Sequence, residues 1–137
     1  MKMNVLKQTA SLLVVAAIAS AGTVRVSQAQ SSAPQVNCQN AQSTPEINYC
    51  AEQLYQTADK ALNAVYQEFR TKLGASATQK LTRAQRAWIR YRDANCEFET
   101  RLSVGGTGHP AYLNACLERM TKARTAGLQK QIESRQM

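Results

Sequence analysis

The side chains best suited to covalent, redox or metal chemistry are four cysteines, Cys38, Cys50, Cys96 and Cys116, and one histidine, His109. A zinc site would want paired cysteines or histidines a few residues apart. Here successive cysteines are separated by 12, 46 and 20 residues, and His109 stands alone in a glycine-rich stretch. An even cysteine count in a short chain with an export leader reads instead as two disulfides. Bridged sulfurs leave no thiolate nucleophile, and no Cys-x-x-Cys pair marks a redox centre. Asp93 and Glu97, one helical turn apart, come closest to a carboxylate pair, but arginines surround them and nothing there would raise a carboxyl pKa. These residue types argue against an enzyme and call for no cofactor and no metal.

Lys2 and Lys7 precede an apolar run from about Ala10 to Ala21, which ends in small residues and Ser27-Gln28-Ala29. That is a charged start, an apolar middle and a small-x-small cleavage site, so residues 1–29 are expected to be a signal peptide. Cleavage after Ala29 is preferred, with Ala21 the alternative. The apolar run falls short of the ~20 residues a membrane span needs, so no span is expected after cleavage. Loss of Lys2, Lys7 and Arg25 leaves 14 basic and 9 acidic residues, a net charge of +5. The expected location is periplasmic or secreted.

Placing the remaining residues requires helices. Residues 30–43 form a polar leader without periodicity. Ser43-Thr44-Pro45-Glu46 is a helix start, with a capping box from Ser43 to Glu46 and proline in the first turn. Ile47, Ala51, Leu54, Ala58, Ala61, Leu62, Val65 and Phe69 then share one face up to a stop at Gly74. Ser76 and Gln79 read as a second capping box, opening a helix to about Ser103. At 100° per residue Leu81, Ala84, Trp88, Tyr91 and Asn95 share its apolar side, continued by Phe98 and Leu102. Arg83, Arg86, Arg90, Glu97 and Arg101 lie opposite. The glycines of 104–108 break the chain, Pro110 restarts it, and Leu113, Leu117, Met120, Leu128 and Ile132 line a third helix to about Glu133. The fold class is all-α: a small up-down-up three-helix bundle over residues 44–134, stapled by two disulfides.

Antiparallel neighbours put Cys50 level with Cys96 across the first hairpin, and Cys96 level with Cys116 across the second turn. Two pairings fit: Cys38–Cys50 with Cys96–Cys116, or Cys50–Cys96 with Cys38–Cys116. The first is preferred for its shorter loops. Arg124 interrupts the apolar stripe of the third helix between Met120 and Leu128. A buried arginine needs a carboxylate, and Asp59 stands at the same level beside Trp88, so an Asp59–Arg124 pair is expected to fix helix register.

Cys38, Thr44-Pro45-Glu46, Cys50, Ala58-Asp59, Leu62-Asn63 and Tyr66 open a pattern. Ala84-Gln85-Arg86-Ala87-Trp88, Tyr91-Arg92-Asp93 and Cys96 continue it, and Cys116-Leu117, Thr121, Arg124 and Leu128 complete it. This pattern, over about residues 38–130, resembles the LprI-type lysozyme-inhibitor family of bacterial exported domains. The resemblance implies a secreted, disulfide-linked helical domain, with Asp59, Trp88, Arg92, Asp93 and Arg124 as its structural motif. It also implies a partner, lysozyme or another envelope protein, met by protein–protein contact. Candidate binding residues are Arg83, Arg86, Arg90 and Arg101 on the second helix and His109 in the glycine loop, although a solvated face is the plainer account of the arginine row. The alternative is an envelope structural or stress protein that holds anionic polymers through that row. No nucleic-acid partner is expected, since no groove-reading motif is present. The sequence leaves the oligomeric state open.

Overall fold

The computed structural model describes residues 36–135; the expected signal peptide and residues 30–35 of the polar leader lie outside them. Three helices follow in order: α1 (Thr44–Thr71), α2 (Ala75–Glu99) and α3 (His109–Glu133), with a short 3-10 turn at Arg101–Ser103. No strand occurs among the described residues. The architecture is the expected up-down-up bundle, and the disulfides pair Cys38 with Cys50 and Cys96 with Cys116.

The start of α1 follows its sequence signal closely. Ser43 Oγ accepts from the Glu46 amide at 3.4 Å, and the Glu46 carboxylate accepts from the amides of Ser43 and Gln42 at 3.0 and 3.1 Å. Those bonds satisfy amides that a helix start otherwise leaves without partners. The α1–α2 connection differs from expectation. Gly74 is the N-cap of α2 rather than only a stop for α1, and the Ser76–Gln79 box does not form. The tight turn already places Ala75 in the helix, so Ser76 lies too late to cap it.

α1 and α3 run parallel and approach most closely along their length. Small buried side chains such as Ala58 and Thr121 permit that approach. The apolar core is Leu62, Phe69, Leu81, Leu128 and Ile132, with Val65, Tyr66, Leu73 and Trp88 packed against it. It fills the half of the bundle nearest the α1–α2 turn. Complete burial of side chains of this size is worth about 1.5–3 kcal/mol each.

Three expected faces need correction. On α2 the buried positions are Leu81, Gln85, Arg92 and Cys96, while Ala84 is exposed and Tyr91, Phe98 and Leu102 are 61, 66 and 89 % exposed. The inward face is therefore turned by roughly 70° from the apolar stripe, taking 100° per residue. The Cys96–Cys116 bridge explains the turn: it draws Cys96 inward, and Arg92, one turn earlier, goes with it. On α1, Ile47, Leu54 and Ala61 face solvent while Cys50 takes an inward place. On α3, Leu113, Leu117 and Met120 are only half-buried, and Cys116 and Thr121 take the inward positions.

Candidate functional site

Arg92 lies at the centre of a cluster drawn from all three helices. Its side chain is only 7 % exposed. Nε and Nη2 each approach Asp93 Oδ1 at 2.8 Å, and Nη1 lies 3.6 Å from Asp59 Oδ1 and 3.2 Å from Thr121 Oγ1. The rings of Tyr55 and Trp88 flank the guanidinium, each with its centroid 5.4 Å away. Burial raises the Tyr55 hydroxyl pKa above its usual value, opposed by the nearby Arg92 charge and reinforced by Asp59 and Asp93. The charge of Arg92 is thus met by two carboxylates and two π faces, as a buried cation requires.

The expected Asp59–Arg124 pair does not form. Asp59 is engaged by Arg92, and Arg124 donates through Nε to Gln85 Oε1 at 3.0 Å while lying 5.7 Å from the Trp88 ring centroid. With a neutral amide for a partner, partial burial lowers the pKa of Arg124 from its usual value. All five motif residues do converge, since Trp88 joins the Arg92 and Arg124 guanidinia.

The glycine loop is held as a clasp. Asn48 of α1 donates to the Thr107 carbonyl at 2.8 Å and accepts from the Ala111 amide at 3.1 Å. Gly105 adopts φ +84°, a conformation that disfavours any side chain. Ser103 Oγ donates to the Thr100 carbonyl at 2.7 Å and lies 2.9 Å from His109 Nδ1. A hydroxyl has one proton to donate. With that proton on the carbonyl, Ser103 accepts from the Nδ1–H tautomer of His109, and the contact ties the 3-10 turn to the start of α3. Both members of each disulfide are bonded, and no cysteine is free among the described residues.

The candidate binding residues fall into two places. Arg83, Arg86 and Arg90 lie on the outer face of α2, and no ion pair among the described residues engages them. Arg101 and His109 belong to the opposite end of the bundle; the α2 segment from Arg83 to its end spans about 24 Å at 1.5 Å per residue. Arg101 packs over the Phe98 ring at 4.4 Å and donates to the Phe98 carbonyl at 3.0 Å.

At that disulfide end lies a surface the sequence reading missed. A groove of about 580 Å³ runs between the end of α2, the 3-10 turn and the start of α3, lined by Glu99, Leu102, Tyr112, Cys116 and Arg119 among others. Phe98, Leu102, Val104 and Tyr112 expose 66, 89, 68 and 64 % of their surface. Arg119 Nη2 spans both oxygens of Glu99 at 2.7 Å beside them. Clustered apolar residues with a polar border are a common mark of a protein-contact surface. Reading Phe98 and Leu102 as core residues concealed them.

Charge is also divided along the bundle, with the Asp59–Arg92–Thr121 contact as the boundary. The half holding the α1–α2 hairpin, residues 60–91 and 122–135, carries 11 basic and 2 acidic residues. The disulfide half, residues 36–59 and 92–121, carries 3 basic and 7 acidic ones. The overall positive charge therefore hides an acidic end.

No helix of the described residues is long and apolar enough to cross a membrane, and no group of three or more metal-binding side chains occurs among them. The two disulfides fit an extracytoplasmic location. Comparison with known proteins then bears on identity. The profile of the family described as lysozyme inhibitor LprI matches residues 36–128. An uncharacterized protein of Rhizobium meliloti (strain 1021) is 38% identical over 114 residues, covering 74% of this chain and 82% of the relative. No solved structure matches. The profile match takes in both disulfides, the Arg92 cluster and the loop clasp, and on it the chain belongs to the lysozyme inhibitor LprI family.

Proposed function

We propose that this chain is exported by cleavage of residues 1–29 and inhibits a lysozyme in the periplasm or outside the cell by direct protein contact. The family match carries the reading. The contact surface we assign is the disulfide end. Its exposed Phe98, Leu102, Val104 and Tyr112 supply apolar area for a protein partner. Its excess of acidic residues attracts a basic lysozyme despite the positive charge of the whole chain. Arg101, at the rim, is suited to meet the two carboxylates that such a glycosidase uses, and His109 supports the loop from behind.

The test is lysozyme turnover of peptidoglycan with the oxidised protein added, repeated after reduction. Dose-dependent inhibition that vanishes on reduction is the expected result. Full activity of every lysozyme type tried, at protein concentrations well above that of the enzyme, would sink the proposal.

A further inference from the structure

The basic half of the bundle has no part in that contact, yet it is built as a surface of its own. From Arg70 to Arg92 the chain holds seven basic residues and no acidic one. A groove of about 350 Å³ lies between α1 and α2 there, lined by Asn63, Tyr66, Arg70, Thr82 and Arg86 among others. The Tyr66 and Thr82 hydroxyls bond at 2.9 Å within it, and the Arg70 guanidinium lies 5.7 Å from the Tyr66 ring centroid. Arg83 and Arg90 extend the positive charge along the neighbouring face of α2.

We propose that this groove and the α2 arginines bind a linear anionic polysaccharide, one sugar unit lying between Arg70 and Arg86. Guanidinia grip carboxylates or other anionic groups through paired donors, and the oxygens of Asn63, Tyr66 and Thr82, whose donors are already engaged by Asp59, Thr82 and the Thr78 carbonyl, keep lone pairs to accept from sugar hydroxyls. A bilayer is the poorer fit. Of the large exposed apolar residues among those described, only Ile89 and Tyr91 lie in this half, and the rest lie in the disulfide half. Nucleic acid is poorer too, since the one aromatic ring of the groove, Tyr66, already has Arg70 over it. The basic half would hold the protein on an anionic envelope polymer and leave the disulfide end free for a protein partner.

Polygalacturonate, neutral dextran and phosphatidylglycerol vesicles are titrated separately into the oxidised protein at low and high salt. The expected result is polygalacturonate binding that weakens with salt, no dextran binding and weaker vesicle binding. Arg70→Gln with Arg86→Gln should lower polygalacturonate affinity on the order of tenfold. Arg101→Gln with Arg119→Gln, which removes the same net charge from the other end, should lower it less than about threefold. Circular dichroism checks that both doubles stay folded. No polygalacturonate binding at low salt, equal losses in the two doubles, or tighter binding to vesicles would each overturn the proposal. Lysozyme inhibition measured in parallel separates this surface from the other: R70Q/R86Q is expected to inhibit as the parent does, and a loss there would overturn the claim of a second surface.

Discussion

Arg92 of α2 reaches Asp59 of α1, with Nη1 3.6 Å from Oδ1, at the level where the bundle's charge changes sign. Above it the core is apolar and the surface basic; below it the core is largely disulfide and the surface acidic. Arg92 is therefore a junction between two differently built halves, and it ties α1 and α3 to α2.

Replacing Arg92 with Met should lower stability by about 2–3 kcal/mol. Breaking a fully buried ion pair costs about 3–5 kcal/mol, but Asp59 and Asp93 are 41 and 47 % exposed and can rehydrate. Asp59→Asn should cost under about 1 kcal/mol because Asp93 still holds the guanidinium. Urea denaturation measures both. Equal losses would mean that Arg92 is not the junction described.

Gln85 and Arg124 should behave as a unit. Gln85 is 6 % exposed and its oxygen accepts from Arg124. Gln85→Leu strands the guanidinium and should cost about 1–3 kcal/mol. Adding Arg124→Met should recover part of that loss, whereas Asp59→Asn should add its own cost independently. A double-mutant cycle that couples Arg124 to Asp59 instead would contradict the arrangement.

The two disulfides should contribute unequally. Chain entropy alone assigns about 3 kcal/mol to each loop. Cys96 and Cys116 are 0 and 2 % exposed, however, so Cys96→Ala with Cys116→Ala also leaves a gap in the core. Cys38 is exposed and its bridge ties only the segment before α1. Thermal melts should rank the Cys96–Cys116 knockout lower, and mild reductant should open Cys38–Cys50 first.

Much of this fold was legible because its local signals agree: a capping box, two first-turn prolines and a glycine break each delimit a helix, and loop lengths favour one of the two disulfide pairings that fit, the one observed. Side-chain facing was less legible. Apolar periodicity placed Tyr91, Phe98 and Leu102 inside and left Arg92 on no face, because it assumes that hydrophobic residues choose which side is buried. Here the Cys96–Cys116 bond chose, and a cluster of opposite charges and π faces made the inward arginine tolerable. Asp59, Trp88, Arg92, Asp93 and Arg124 were readable together only as a family pattern, while their pairing required three-dimensional geometry. The disulfide-end surface was hidden by the same error, since residues assigned to the core are not sought on the surface.

Acid should weaken the start of α1 through Glu46. Backbone and side-chain hydrogen bonds from Ser43, with a further one from Gln42, hold its carboxyl below the ordinary value of 4.5. A carboxyl lowered in the folded state stabilises fully above its unfolded pKa, and that contribution is lost as pH falls through the lower folded value. Stability should therefore drop below about pH 4.5 by an increment that Glu46→Gln removes. Urea midpoints of the parent and E46Q from pH 6 to pH 3 check this; parallel curves would show that the capping box adds nothing pH-dependent.

Leu102 separates the core reading from the surface reading most sharply. At 89 % exposure it has little burial to lose, so Leu102→Ala should change stability by less than about 0.5 kcal/mol. Leu128, fully buried, should cost about 2–5 kcal/mol on the same substitution. If the disulfide end meets lysozyme, L102A should weaken inhibition while its melting temperature stays near that of the parent, and Leu102→Asp should weaken it further by adding a charge to the apolar contact. Tyr112→Ala, across the same groove, should act in the same direction. If both variants inhibit as the parent does and still melt normally, the inhibitory contact lies elsewhere on the bundle. If L102A instead destabilises as L128A does, Leu102 is a core residue and the exposed surface assigned to this end is wrong.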